Sequence, residues 1–302
     1  VTNDLQSRQI NTVRALALDA VKKANSGHTG TAMALAPLAH VLFSKVMNYD
    51  ATDPNWPDRD RFILSAGHAS MLLYSMLYLT GYGLELEDIK QFRQLGSQTP
   101  GHPEAHLTTG VEVTTGPLGQ GIANAVGMAL AERHLRSRLG SEIINHRTWA
   151  ICGDGDLMEG ISHEAASFAG HQQLGNLVVV YDDNRITIDG ATDLTLSDDA
   201  QRRFEAYGWH VNNLGEAAED VASLESALTE AATQNDCPSL VIIRSHIAFP
   251  APTAVDTPSA HGAITDDAEI AAAKELMGFD PEATFHVDDD VLSAYRKAGS
   301  RG

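Results

Sequence analysis

The sequence predicts an α/β fold: a doubly wound, mainly parallel sheet with helices on both faces. Three observations carry that prediction. Residues 147–152 (RTWAIC) and 177–182 (LVVVYD) are continuous apolar runs of the kind a strand shows when both its faces are buried. A helical stretch at 157–173 joins them, making a strand–helix–strand unit with parallel strands and a right-handed crossover. Two further strands, 209–212 and 239–244 (SLVIIR), flank another helical stretch at 217–234 and repeat the alternation.

The remaining elements follow in chain order. Residues 3–24 place Leu5, Ile10, Val13, Ala17, Ala20 and Val21 at helical spacing behind a capping Asn3. Residues 32–48 read as a buried helix perturbed by Pro37. A short strand is expected at 61–65 (RFILS), then helices at 68–80 and 86–94. A long Ala-rich helix over 119–138 opens after a Gly-Pro turn. Residues 249–260 (FPAPTAVDTPSA) are proline-rich and read as a long ordered or lid-like loop, and a last helix is expected at 288–298. No repeat, low-complexity run or strong domain break is visible.

Composition bounds the function. The 302 residues are 43% hydrophobic and 20% charged, a globular balance that argues against long disorder. Lys plus Arg is 21 and Asp plus Glu is 40, a formal charge of 21 − 40 = −19. Such a charge repels phosphate backbones and anionic lipid, which excludes a general nucleic-acid or membrane binder. No run reaches the roughly 18 apolar residues of a membrane span, and no targeting segment is visible. Two cysteines, Cys152 and Cys237, make no disulfide scaffold and fit the cytoplasm.

The chemistry-bearing residues fall at strand ends and in glycine-flanked loops. Gly153-Asp154-Gly155 follows the first apolar strand, where open α/β sheets bind ligands. The next strand runs into Tyr181-Asp182-Asp183-Asn184, so Asp154 and Asn184 meet above one crevice. A carboxylate, an amide oxygen and a nearby backbone carbonyl suit Mg²⁺ when a diphosphate completes the shell. Alone, a Gly-Asp-Gly string is an ordinary turn.

Of thirteen histidines, four sit in glycine-flanked loops: His28, His68, His102 and His261. Imidazoles there can bind sugar hydroxyls and a diphosphate and move protons near neutral pH. His40, His106, His134, His146, His163, His171, His210, His246 and His286 read as ordinary surface or hydrogen-bonded residues. The string Thr114-Thr115-Gly116-Pro117-Leu118-Gly119-Gln120-Gly121 is a rigid helix entry whose backbone can press on a flat ring.

These stretches together carry a resemblance. SGHTG, LSAGHAS, LGSQTPGHPE, VTTGPLGQGIANAVGMALAE, GDGDLMEGISHEAASFAGHQQLGNLVVVYDDNRITIDG, FEAYGWHV and AHG are similar to the N-terminal, diphosphate-binding domain of transketolases. The similarity runs from the first helix to about residue 262, and 275–299 is also similar. It implies the thiamine diphosphate-binding fold over 1–302, with 263–302 as a C-terminal helical extension and the pyrimidine-binding domain absent. It implies transfer of a two-carbon ketol unit from a ketose, or its phosphate, to an aldose, with thiamine diphosphate and Mg²⁺ (or Ca²⁺) as cofactors. Asp154, Asn184 and the Ile186 carbonyl would hold the metal. His68, Gly155, Asn184 and His261 would contact the diphosphate, and Gly116, Pro117 and Leu118 would line the aminopyrimidine. His28, His102 and His261 would face the reacting sugar as catalytic groups. Glu159 would lie at the subunit interface.

Typical members are far longer, and their cofactor-activating glutamate belongs to the domain absent here. The resemblance therefore implies an N-terminal subunit that needs a second polypeptide, joined in a heterotetramer. Two loops depart from the family pattern. Thr29 stands where a proline is usual, and Pro258 stands where a histidine is usual, without the customary Pro-Leu-Gly after His261-Gly262. Those changes point to a specialised ketol transfer. Other thiamine enzymes, of the deoxyxylulose-phosphate synthase or dehydrogenase E1 kind, and a non-catalytic scaffold remain as alternatives.

Overall fold

The structure is a computed structural model and describes residues 4–301. Helix α1 (Leu5–Ala24) is capped by Asp4, whose side chain accepts from the Ser7 N–H at 2.8 Å. The cap expected at Asn3 lies outside the described residues. The helix expected over 32–48 is three pieces: α2 (Gly30–Ala34), α3 (Ala36–Val41) and a π-helical turn, Leu42–Val46. Pro37 sits in the first turn of α3, where its missing N–H leaves no bond unmade, so it starts a helix rather than bending one.

Strand β1 (Arg61–Leu64) leads through a short 3₁₀ turn to α4 (Ser70–Thr80). Helix α5 (Leu86–Lys90) is shorter than the expected 86–94, because Arg93 adopts φ 62° and no helix continues through it. Next come α6 (Gln120–Leu139) and β2 (Thr148–Gly153). The helix expected at 157–173 begins earlier and breaks in two, α7 (Asp154–Met158) and α8 (Gly160–His171), since Glu159 is extended at ψ 137°. Then follow β3 (Leu177–Asp182), α9 (Ala200–Ala206), β4 (His210–Asn213), α10 (Val221–Thr233), β5 (Ser239–Ile243), α11 (Asp267–Met277) and α12 (Asp289–Ala298). The sequence reading did not place α9.

The five strands form one parallel sheet in the order β1-β2-β3-β5-β4. Alternate strand residues face opposite layers, as the two-residue period of a strand requires. Trp149, Ile151, Val178, Val180, Val241 and Ile243 pack into the core that holds α1, α3, α4, α10 and α12. Ala150, Cys152, Val179, Tyr181, Leu240 and Ile242 pack into the core that holds α6, α8 and α9. Both faces are therefore covered, which explains why the strands read as unbroken apolar runs. A third, smaller cluster joins α1, α2 and α11 to the 248–264 segment. Within the terminal 263–302 stretch, Val291 and Tyr295 of α12 are buried in the main core beside α4. The 249–260 segment is an ordered loop: Glu269 accepts from the Thr253 and Ala254 N–H groups at 2.8 and 2.7 Å, and the Asp256 N–H donates to the Ile247 carbonyl.

Candidate functional site

Strand register builds the site. Gly153 pairs with Asp182 at the carboxyl ends of β2 and β3, so the chain leaving β2 at Asp154 lies beside the chain leaving β3. Asp154, Gly155, Asn184 and Ile186 all line one cleft of about 260 Å³. His28, His68, His102 and His261 line it too, with Gly116 and Leu118. Chain segments far apart in sequence thus meet around one cleft. Pro117 and Glu159 stand outside the lining and are exposed, with Glu159 against the Gly119 turn.

Each side chain is held from behind. The Tyr181 hydroxyl donates to Asp154 Oδ1 at 2.5 Å and the Arg185 N–H donates to Oδ2 at 3.0 Å. Asn184 Nδ2 donates to Asp182 Oδ2 at 2.7 Å, which fixes the amide so that its oxygen accepts from the Ile186 N–H at 2.9 Å. The Ser245 hydroxyl donates to the other Asp182 oxygen. Burial pushes the Asp154 carboxyl up to about 7, reinforced by Asp182 and Asp183, although the Tyr181 bond opposes the shift. Burial likewise raises Asp182 to about 6. A corner of desolvated carboxylates with hard oxygens on a cleft wall is chemically suited to a divalent cation. Among the described residues no cluster of three His, Cys, Asp or Glu is spaced as a metal centre by itself. A site made of one carboxylate, one amide and one carbonyl escapes that pattern, and needs ligand oxygens to complete it.

The histidines form a second wall. The rings of His68 and His261 stack at 4.7 Å, and His28 lies 5.3 Å from His68, 5.5 Å from His261 and 6.1 Å from His102. Burial lowers the pKa of all four, that of His28 to about 4, with His261, Arg93 and His102 adding to the shift. They are neutral at pH 7, each ring offering one donor and one acceptor. The buried Nδ1 atoms of His28 and His261 have no hydrogen-bond partner among the described residues. Orphaned ring nitrogens in a cleft wall fit a ligand bearing oxygens. The other nine histidines lie outside the cleft lining. His40, for example, is buried against the Tyr295 hydroxyl at 3.0 Å.

The glycine-proline loop completes the enclosure. Gly116 adopts φ 146°, which only glycine takes readily, and so passes close beside the His102 ring. His102 is held in turn, because the Tyr74 hydroxyl donates to the Pro100 and His102 carbonyls at 2.9 and 3.2 Å.

Sequence reasoning missed the residue that ties these walls together. Asp156 is fully buried and accepts from Ser65 Oγ at 2.7 Å, the Gly119 N–H at 2.8 Å and the Gly153 N–H at 3.0 Å. It joins the end of β1, the entry to α6 and the end of β2. A signal was present: an acidic residue in the first turn of a helix is where free N–H groups need an acceptor. Asp182 was missed similarly, hidden in the Tyr-Asp-Asp-Asn string. Among the described residues lining the cleft none is lysine or arginine; Arg244 donates to the Asn184 carbonyl at 2.7 Å from behind, and Arg93 acts on His28 and His102 from outside.

A family model described as "Transketolase, thiamine diphosphate binding domain" matches residues 5–302. The chain belongs to the transketolase family. It is 49% identical over 305 aligned residues to a transketolase of Mycobacterium bovis, covering 99% of this chain and 43% of the relative. A crystal structure of the Campylobacter jejuni transketolase superimposes with a TM-score of 0.95 at 43% identity, covering 99% of this chain and 46% of that one. A Pichia stipitis transketolase in complex with sedoheptulose 7-phosphate also gives 0.95, at 45% identity. The chain thus spans less than half the length of these relatives. The expected parallel sheet with helices on both faces is the observed one, and the thiamine diphosphate-binding fold is that of these neighbours.

Proposed function

We propose that this chain is the cofactor-diphosphate-binding part of a transketolase, moving a two-carbon ketol unit from a ketose or its phosphate to an aldose. The supporting observation is the cleft where Asp154, Asn184 and Ile186 lie below four neutral histidines, in a chain matched throughout by a thiamine diphosphate-binding family. Asp154, Asn184 and the Ile186 carbonyl hold Mg²⁺ (or Ca²⁺), which offsets the diphosphate charge in an acidic chain. His68, Gly155, Asn184 and His261 contact the diphosphate, and Gly116, Pro117 and Leu118 support the aminopyrimidine ring. When bound, thiamine diphosphate supplies the carbon nucleophile and the electron sink that hold the two-carbon unit.

The chain's own residues then orient and protonate. His28, His102 and His261, neutral and partly buried, bind the sugar hydroxyls and the carbonyl oxygen. Each can donate from one ring nitrogen and accept at the other, so a proton passes without a charged resting state. The cleft lining carries no cation for a sugar phosphate, so that recognition belongs to the part of the relatives this chain does not match. We assign the pyrimidine-binding half of the site to that unmatched part and place Glu159 at an interface with it. Free, buried Cys152 and free Cys237 accord with the cytoplasm.

The test is reconstitution. Thiamine diphosphate and Mg²⁺ are titrated into the chain alone and into its mixture with a pyrimidine-binding half, and ketol transfer between sugar phosphates is followed. Turnover appearing only in the mixture is the expected result. Turnover by this chain alone refutes the assignment of sugar-phosphate recognition to a part it does not match. Failure to take up the cofactor in either state refutes the site.

A further inference from the structure

We propose that Thr29 is a positioning residue that locks the His261 loop onto the start of α2, so that the histidine cleft is formed before any ligand arrives. Thr29 is fully buried, and its N–H and hydroxyl both bond to the backbone of the His261 loop. Its N–H donates to the Gly262 carbonyl at 2.9 Å, and its hydroxyl oxygen accepts from the Ile264 N–H at 3.2 Å. Its carbonyl accepts from the Met33 N–H at 3.1 Å and so begins α2. One residue therefore joins the loop that carries His28 to the loop that carries His261.

The neighbouring residue tightens the joint. A Cβ on Gly30 would lie 2.3 Å from the Ala260 carbonyl oxygen and 2.6 Å from the Ile247 side chain, so the two backbones meet only because position 30 is glycine. The Gly30 carbonyl accepts from the Ala248 N–H at 3.0 Å on the other side. Met33, Ala248, Ala260 and Ile264 close over the joint as one apolar cluster. His261 hangs between these anchors. Its Nδ1 has no partner among the described residues, so the place of the ring against His68 is set by the backbone around it. A proline at position 29 could make neither cross-loop bond.

The lock itself stands on these contacts; its purpose, presenting His261 to a cofactor, rests on the proposed function. The experiment separates the two. Amide hydrogen exchange is followed in the ligand-free chain and in Thr29→Ser, Thr29→Val and Thr29→Pro variants, alongside the rate of thiamine diphosphate uptake with Mg²⁺. The Ile264 amide should be protected in the ligand-free chain and in T29S. In T29V, which loses the hydroxyl alone, it should exchange roughly tenfold faster, the scale of one buried hydrogen bond. Cofactor uptake in T29V should gain a slow ordering phase that T29S lacks. Should T29P fail to fold, T29S against T29V still decides. Ile264 protection that arises only after cofactor is added overturns the proposal, as does unchanged exchange in T29V. A protected Ile264 in a chain that takes up no cofactor, either alone or mixed with the pyrimidine-binding half, leaves the lock standing and removes the cofactor reading.

Discussion

His28 shows how a residue's surroundings set its chemistry. Burial first, then the charges of His261, Arg93 and His102, bring its pKa to about 4. An imidazole so depressed binds a proton more weakly in the folded chain than in the unfolded one, where it titrates near 6.5. Its stability contribution is therefore complete above pH 6.5 and is lost as the pH falls through 6.5 toward about 4. Asp154 and Asp182, raised by burial, act in the opposite sense over part of this range, so a bare melting curve mixes the terms. A His28→Asn comparison cancels them. The stability difference between the unaltered chain and H28N should shrink as pH drops from 7 to 4.5, and the His28 ring resonance should titrate near pH 4. A ring titrating near 6.5 would contradict the buried, neutral cluster.

At the scale of elements, the site is a set of strand ends fastened to helix starts, and Asp156 is the fastening between β1, β2 and α6. Three donors converge on its carboxylate, one hydroxyl and two N–H groups. Asp156→Asn keeps the shape but turns one acceptor into a donor facing a donor. That mismatch in a fully buried place should cost about 1–3 kcal/mol in urea unfolding. It should also loosen the Gly116–Leu118 wall, and so weaken cofactor binding; an unchanged midpoint would show that Asp156 is dispensable. Much at this scale was legible beforehand. The β2–α8–β3 unit could be read because strands buried on both faces leave unbroken apolar runs, and Asp154 and Asn184 because they follow those runs directly. Less legible was whatever depends on pairing across the chain. Nothing local says that Ser65 and Gly119 aim at Asp156, or that Thr29 reaches Ile264. The break at Glu159 falls directly before Gly160, a signal hard to single out beside Gly153 and Gly155, and α9 is too short to show a periodicity. Pro37 does mark an interruption, between α2 and α3, but a proline opening a helix and a proline kinking one look alike until the helix start is known.

For the whole molecule the governing quantity is the charge of −19. Like charges spread over one folded chain repel, and salt screens them over a Debye length of roughly 8 Å at physiological ionic strength. Stability should therefore rise as NaCl is increased from low concentration. The carboxylates at the carboxyl ends of β2 and β3 add a second, local demand. Burial raises the pKa of Asp154, Asp182 and Asp183, and the Asp183 charge adds to the shift of the other two, in a desolvated corner that screening by monovalent ions relieves poorly. A cation bound there stabilises by mass action, beyond what its ionic strength contributes. MgCl₂ and NaCl compared at matched ionic strength thus isolate the site from the field. The thermal midpoint should rise further in MgCl₂, further still with thiamine diphosphate present, and the excess should vanish in Asp154→Ala. Equal midpoints in the two salts, with and without the cofactor, would place the divalent cation elsewhere than on Asp154 and Asn184. An excess that survives D154A would mean the same. An excess abolished by D154A ties the buried carboxylates at the ends of β2 and β3 to the one step that lets an acidic chain hold an anionic cofactor.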